Sequence, residues 1–272
     1  MSTGKQSRNK SFLALAIIMS VLALLCAGKL FLDAVYVPAI LMYHSIGEED
    51  AAALDGYGSK LNVRPETFSK QMKFLKDKGY KIISLDELIR RVDKGEKVPH
   101  KTAAITFDDG LRNNFINAYP VLKKYGFPAT IFVATDFVGK ENFLTWDDIR
   151  TMQKGNISIG NHTVSHRWLP SLDDDSLRRE LVDSKEILER MISGRVKVLS
   201  YPLGGFDERA RALAKDAGYI GAVATNPGWG YPKNDIYALK RVRISMTSDN
   251  LFVFWVETSG YYTFIKEIRD ED

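Results

Sequence analysis

From Pro38 onward the chain alternates short apolar runs of strand length with amphipathic stretches of helix length, and nothing else in it constrains the fold so strongly. Residues 39–43 are one apolar run. Arg64-Pro65-Glu66 opens a helix with proline in its first turn, and Phe68, Met72 and Leu75 recur at helical spacing before Gly79 ends it. Further strands are expected at 81–85, 103–107, 128–134, 157–159, 196–201 and 221–225. Helices are expected at 85–92, 113–125, 146–153, 171–192 and 208–217. In the longest of these, 171–192, Leu177, Leu181, Ile187, Leu188 and Met191 are apolar. About seven such alternations in roughly 200 residues indicate an α/β fold on a parallel sheet, open or closed into a barrel. Residues 48–60 read as a polar loop, and 251–265 are aromatic-rich with no clear element.

The N-terminus obeys different rules. Lys5, Arg8 and Lys10 precede residues 12–27, in which only Ser20 is polar, and Gly28-Lys29 then leads into Leu30-Phe31-Leu32. A helix packed on a soluble core would keep a polar face, and this one has none. Sixteen residues are short of the roughly 20 needed to span a bilayer, but counting through Leu32 reaches that length if Lys29 snorkels. No small-residue cleavage pattern follows, and Leu24-Leu25 before Cys26 does not suit a lipoprotein signal. The reading is an uncleaved signal-anchor over 12–32, with a cleaved signal peptide as the alternative. Either leaves the basic flank cytoplasmic and exports the body, as a single-pass membrane protein in the first case and a secreted or periplasmic one in the second.

Composition removes other classes. A single cysteine, Cys26, excludes an intramolecular disulfide framework and a multi-cysteine zinc site. The formal charge of +4 is concentrated in residues 1–37, which hold four basic side chains against Asp33. The rest of the chain carries 34 basic and 33 acidic residues without a basic block, so no nucleic-acid partner is indicated.

In α/β folds functional groups gather at the C-terminal ends of strands. Three expected strand ends carry polar groups with no packing reason to be there. They are Asp108-Asp109-Gly110, Asn161-His162 with His166 four residues on, and Tyr43-His44-Ser45. Taken singly, Asp-Asp-Gly is an ordinary turn and His-x-x-x-His a weak motif. Their coincidence matters, because three of the four histidines fall at or just past strand ends; His100, beside Pro99, reads as structural or surface. Two histidines four apart lie on one face of a helical turn and can share a metal ion, and a carboxylate completes the set. A divalent cation there would acidify water and polarise a carbonyl, an adjacent carboxylate would act as base, and a remaining histidine would protonate a leaving group. That constellation hydrolyses an amide or ester.

At these residues the chain resembles the NodB-homology polysaccharide deacetylases. Thr106-Phe107-Asp108-Asp109-Gly110 and His162-Thr163-Val164-Ser165-His166 are similar to the family's first two motifs, and Ser200-Tyr201-Pro202-Leu203-Gly204 to a variant of the third. The stretch 101–110 and Thr145-Trp146-Asp147-Asp148-Ile149-Arg150 match as well, and the resemblance spans about residues 39–245. It implies a distorted (β/α) barrel, with Asp108 as general base and Asp109, His162 and His166 as metal ligands. The implied cofactor is a divalent cation, zinc first, with cobalt, nickel or iron as alternatives. The backbone N–H of Leu203 would help hold an oxyanion, and Tyr201 is a further candidate for substrate contact. Many members begin the third motif with an arginine that orients the base; here Ser200 stands in that place, leaving Arg241 or Arg243 to supply it. The usual C-terminal acid is absent, since no histidine follows His166. A permuted subgroup, the exopolysaccharide poly-N-acetylglucosamine deacetylases, takes its acid from the first strand, which points to His44.

Three tryptophans complete the candidates. Trp229, in Asn226-Pro227-Gly228-Trp229-Gly230, could stack on a sugar, whereas Trp146 and Trp168 read as structural. The expected organisation is a basic tail 1–11, the anchor 12–32, a linker 33–38, a catalytic domain 39–245 and an extension 246–272 packed on it. The expected activity is metal-dependent N-deacetylation of an extracytoplasmic N-acetylated glycan, with the cytoplasmic membrane as second partner. Two rival classes remain: a catalytically silent, membrane-tethered glycan-binding protein, and a non-haem iron oxygenase built on the same two histidines and carboxylate.

Overall fold

The computed structural model describes residues 3–48, 61–225 and 232–269. The chain forms two compact units, Met1–Tyr36 and Val37–Asp272. The first holds one helix, α1 (Thr3–Val35). Its stretch Leu15–Val35 has a mean hydropathy of 2.4 and none of it is buried. At 1.5 Å per residue those 21 residues reach about 31 Å, long and apolar enough to cross a hydrocarbon core.

The second unit alternates as expected. It begins β1 (Ala39–Tyr43), β2 (Ser45–Ile46), β3 (Asn62–Val63), α2 (Pro65–Asp77), β4 (Lys81–Ile82), α3 (Leu85–Asp93) and β5 (Thr102–Phe107). It continues α4 (Tyr119–Tyr125), β6 (Ala129–Val133), α5 (Trp146–Lys154), β7 (Ile157–Asn161), α6 (Asp174–Arg178) and α7 (Ser184–Ile192). Last come β8 (Val198–Ser200), α8 (Glu208–Asp216), β9 (Gly221–Ala224), β10 (Leu239–Lys240), β11 (Val242–Arg243), α9 (Leu251–Thr258) and α10 (Tyr262–Arg269). The strand expected at 81–85 stops early because Ser84 caps α3, its Oγ accepting the Glu87 N–H at 3.2 Å. The helix expected at 113–125 opens with a π-helical turn, Asn114–Ala118, before α4. The one expected at 171–192 is broken: Asp173 caps α6, and a π-helical turn, Arg179–Asp183, joins α6 to α7. The unassigned aromatic-rich end supplies α9 and α10.

All pairings in the main sheet are parallel, in the order β10-β9-β8-β7-β6-β5-β1-β11, with β4 also on β5. The two ends of that order are consecutive in sequence. Leu239 and Lys240 pair with β9, and after Arg241 the chain pairs Val242 and Arg243 with β1. One short segment therefore closes the sheet into a barrel and changes partner at Arg241. The helices cover its outside, α2 for example burying Phe68, Met72 and Leu75.

Side chains alternate across a strand, so the barrel lining follows from register. Ile40, Ala104, Phe132, Val198, Val223 and Leu239, one from each of six strands, form one cluster with Leu85, Leu88 and Ile89 of α3, which plugs the end where the strands begin. Gly160 shares this lining: a Cβ there would stand 2.4 Å from the Phe132 ring. Counting on in twos from these positions toward the strand ends reaches His44, Asp108, His162, Ser200 and Arg241. The apolar plug and the polar site are thus opposite ends of one inner face.

A buried polar chain ties the C-terminal residues to β1 and α2. The Tyr43 hydroxyl donates to Gln71 Oε1 (2.9 Å), Gln71 Nε2 to the Ser248 carbonyl (3.0 Å) and Ser248 Oγ to Glu257 Oε1 (3.0 Å). Glu257 Oε2 is buried without a partner among the described residues. Burial, only partly offset by the Ser248 bond, pushes the Glu257 carboxyl up to about 7. A raised carboxylate makes the native state the tighter proton binder, so its contribution is full below the ordinary value near 4.5 and is lost as pH rises through 7. Stability should therefore fall by on the order of 3 kcal/mol between pH 4.5 and 8, and Glu257→Gln should remove that part. Denaturant titrations of both chains at the two pH values check this; equal pH dependence would exclude Glu257 as the source.

Candidate metal centre

β5 runs directly into Asp108 and Asp109. Asp108 keeps the strand's alternation and faces inward, with its N–H on the Tyr43 carbonyl of β1 (3.0 Å). Asp109 then turns into the left-handed region (φ 71°), which swings its carboxylate away from Asp108 and toward β7. His162 follows β7, and His166 lies four residues on. The segment between them is not the expected helical turn: Thr163 and His166 are left-handed (φ 69° and 58°), and the chain bends back. The fold around the loop, rather than helical periodicity, brings the two imidazoles together, with ring centroids 4.8 Å apart at 68°.

Asp109 Oδ1 stands 3.3 Å from His162 Nε2 and 3.3 Å from His166 Nε2. Possible ligand atoms of the three lie within 4.8 Å of one another. Asp109 Oδ1 is buried and lacks a hydrogen-bond partner among the described residues. Bonds of 2.0–2.1 Å in a tetrahedral set separate ligand atoms by about 3.3 Å, so the spacing fits a small divalent cation. His162 Nδ1 is 2.8 Å from the Ser200 carbonyl, which holds its proton there and leaves the Nε2 lone pair facing Asp109. Burial lowers the His166 pKa and favours the neutral ring a ligand requires.

Asp108 is 3% exposed and gripped by Arg241, Nη1 to Oδ1 at 2.7 Å and Nη2 to Oδ2 at 2.6 Å. The same Nη2 donates to Ser200 Oγ (2.9 Å), and Nε to the Ala224 carbonyl (3.2 Å). Burial alone would raise the Asp108 pKa; Arg241 and His162 more than offset it and hold the carboxyl well below its ordinary range. The segment that closes the barrel thus places Arg241 on Asp108, whereas Arg243 is exposed, its backbone paired with Met42. His44 follows β1, its carbonyl bonded by Asn114 Nδ2 at 2.8 Å. Burial lowers its pKa, against the upward pull of Asp108 and Asp109, so the ring lies in the field of both carboxylates.

The remaining candidates separate. Leu203 sits on the turn after β8 in a left-handed conformation (φ 57°) and is 67% exposed. Tyr201 does not reach the site by its side chain: the ring is buried, stacks on Phe206 at 4.6 Å and donates to the Tyr237 carbonyl (3.1 Å). Position 201 falls on the outward-facing register of its strand, next to inward-facing Ser200. Trp229 lies outside the described residues. Trp146 packs on the main core, consistent with a structural role. Trp168 is half-exposed, and its indole lies so flat on Gly205 that a Cβ there would be 2.2 Å away. His100 packs edge-on to Tyr261. Sequence reasoning missed Asn161 and Glu180, whose bonds hold the loop between the histidines. Asn161 carried only the signal of a polar strand end, and Glu180, in Arg178-Arg179-Glu180-Leu181-Val182-Asp183, carried none.

The chain is similar to several known proteins. Residues 95–222 match the family described as polysaccharide deacetylase. YxkH of Bacillus subtilis (strain 168), assigned to polysaccharide deacetylation, is 37% identical over 206 residues, 76% of this chain and 71% of that protein. The poly-beta-1,6-N-acetyl-D-glucosamine N-deacetylase of Staphylococcus aureus (strain MSSA476) is 28% identical over 198 residues, 68% of each chain. The solved structure of the Streptococcus pyogenes deacetylase PplD, in complex with acetate, superposes with a TM-score of 0.72 at 30% identity, covering 82% of this chain and 99% of that one.

Proposed function

Because this chain belongs to the polysaccharide deacetylase family, we propose that it is a metal-dependent enzyme removing N-acetyl groups from an N-acetylglucosamine-containing polysaccharide outside the cytoplasmic membrane. One observation carries this reading: an arginine-held carboxylate, Asp108, stands beside the Asp109, His162 and His166 set. The Staphylococcus aureus relative, which acts on poly-beta-1,6-N-acetyl-D-glucosamine, and the acetate in the PplD structure support the choice of substrate and product.

Asp109, His162 and His166 would hold the cation, with zinc proposed first and cobalt, nickel or iron as alternatives. When bound, it supplies Lewis acidity, polarising the acetamide carbonyl and making water acidic near neutral pH. Asp108, ionised and fixed by Arg241, accepts the proton from the attacking water. The Leu203 N–H would stabilise the oxygen that gains charge. His44 gives its proton to the departing nitrogen, so the C–N bond breaks to leave acetate and an amine on the sugar. The catalytic domain is assigned to 39–245, with 246–272 as its extension. Residues 12–32 of α1 are assigned as the membrane anchor, and a cleaved signal peptide is the alternative.

The silent glycan-binding reading drew its strength from the arginine absent before Tyr201, and Arg241 removes that motive. An iron oxygenase has no use for the Asp108–Arg241 pair. The test is acetate release from N-acetylglucosamine oligosaccharides by the purified chain. Chelation should abolish it, zinc should restore it, and Asp109→Asn should be inactive with any metal. Retention of the glycan without acetate release under all metals would instead establish the silent reading.

A further inference from the structure

The loop from Thr163 to His166 has an unusual hydrogen-bond balance. Its two left-handed residues take it out of both sheet and helix, and a β-branched residue such as Thr163 seldom adopts that conformation unless its surroundings impose it. All four of its backbone N–H groups are satisfied by side chains. Thr163 N–H donates to Asn161 Oδ1 (2.8 Å), Val164 and Ser165 N–H both donate to Glu180 Oε2 (2.8 and 2.9 Å), and His166 N–H donates to Thr163 Oγ1 (3.1 Å). The Ser165 hydroxyl adds a bond to Glu180 Oε1. Glu180 is 5% exposed, so these partners replace water that cannot reach it.

Glu180 reaches the loop from the π-helical turn Arg179–Asp183. A π turn interrupts the regular helical ladder and releases carbonyls, and here they are taken up by the same network. Ser184 Oγ donates to the Glu180 carbonyl (2.5 Å) and the Tyr219 hydroxyl to the Leu181 carbonyl (2.7 Å), while Asn161 Nδ2 donates to Ser184 Oγ (2.6 Å). The break in the helix and the bend at the histidines are thereby one hydrogen-bonded assembly.

We propose that Glu180 is a positioning residue for the metal centre, pre-ordering the 163–166 loop so that His166 Nε2 faces Asp109 and His162. The proposal rests on the reading of Asp109, His162 and His166 as a cation site. Without Glu180, two part-buried N–H groups lose their acceptor, the left-handed residues relax, and the His166 ring leaves the set.

The test uses the full chain in detergent, stripped of metal, with zinc affinity measured by competition against a chromophoric chelator and the site's symmetry by the visible spectrum of bound cobalt. Glu180→Ala should weaken zinc binding by about 10–100-fold, the usual effect of losing a partner that orients a ligand, and change the cobalt spectrum. Glu180→Gln should restore both, since its carbonyl can accept the two N–H groups while its amide donates to the Ser165 hydroxyl. Zinc binding by Glu180→Ala equal to wild type, with Asp109→Asn defective, would overturn the positioning role alone. Wild-type zinc binding by Asp109→Asn would overturn the cation site itself. If Glu180→Ala does not fold, hydrogen exchange in the metal-free wild type decides: slow exchange at Val164 and Ser165 is expected, and rapid exchange there would overturn the proposal.

Discussion

Replacing Asp108 by asparagine should lower acetate release by about 10²–10⁴-fold, the range of a general base, while metal content stays that of the parent chain. The two effects separate because Asp108 and Asp109, though adjacent, face different partners. Asp108 is bonded to Arg241 on both oxygens, and Asp109 is aimed at the two histidines. Asparagine keeps the shape but cannot take the proton from water. It also leaves Arg241, 3% exposed, without its counter-charge, and breaking a buried pair from one side lowers stability by about 3–5 kcal/mol. Adding Arg241→Met removes the orphaned charge where the guanidinium already lies over the Phe132 ring, at 5.6 Å. The double variant should recover most of the lost stability and none of the activity. Elemental analysis, denaturant titration and an acetate assay measure the three quantities independently. Loss of metal in Asp108→Asn together with its retention in Asp109→Asn would exchange the two roles.

His44→Ala should leave fold and metal intact and lower amide hydrolysis by about 10²–10⁴-fold. An amine leaves only if it is protonated, and of the histidines at the strand ends His44 is the one not placed in the cation set. His44 follows β1 on the inner register, in the field of both site carboxylates. Burial pulls its pKa below the ordinary value, which makes its protonated form a stronger acid toward the departing nitrogen. An aryl acetate, whose leaving group departs without a proton, should lose far less. Equal losses on amide and ester would make His44 a shaping residue, and no loss on either would remove it from the mechanism.

Most of the α/β alternation was legible because strand and helix periodicities are local. The same period of two places His44, Asp108 and His162 on one face once their strands are assigned. Positions where a side chain ends the element escaped this reading, as at Ser84, which cuts β4 short, and Asp173, which starts α6. The helix expected over 171–192 could not reveal its π turn, because the extra residue is stabilised by Asn161 and Tyr219, distant in sequence. The placement of Tyr201 was hidden for a related reason: its ring packs in the core, among residues distant in sequence.

By itself, then, the sequence determined the strand ends and the chemistry available there, since residue type and a two-residue repeat decide which groups stand on the inner face. Only the tertiary structure decided how they are completed. Arg241 reaches Asp108 because the segment 239–243 changes partner from β9 to β1 and closes the barrel, an event that depends on strands some 200 residues apart meeting edge to edge. His166 meets His162 because Glu180 and Asn161 hold a bend that local preference opposes. Both are non-local hydrogen-bond balances, and a periodicity holds no record of which distant group will satisfy a buried donor.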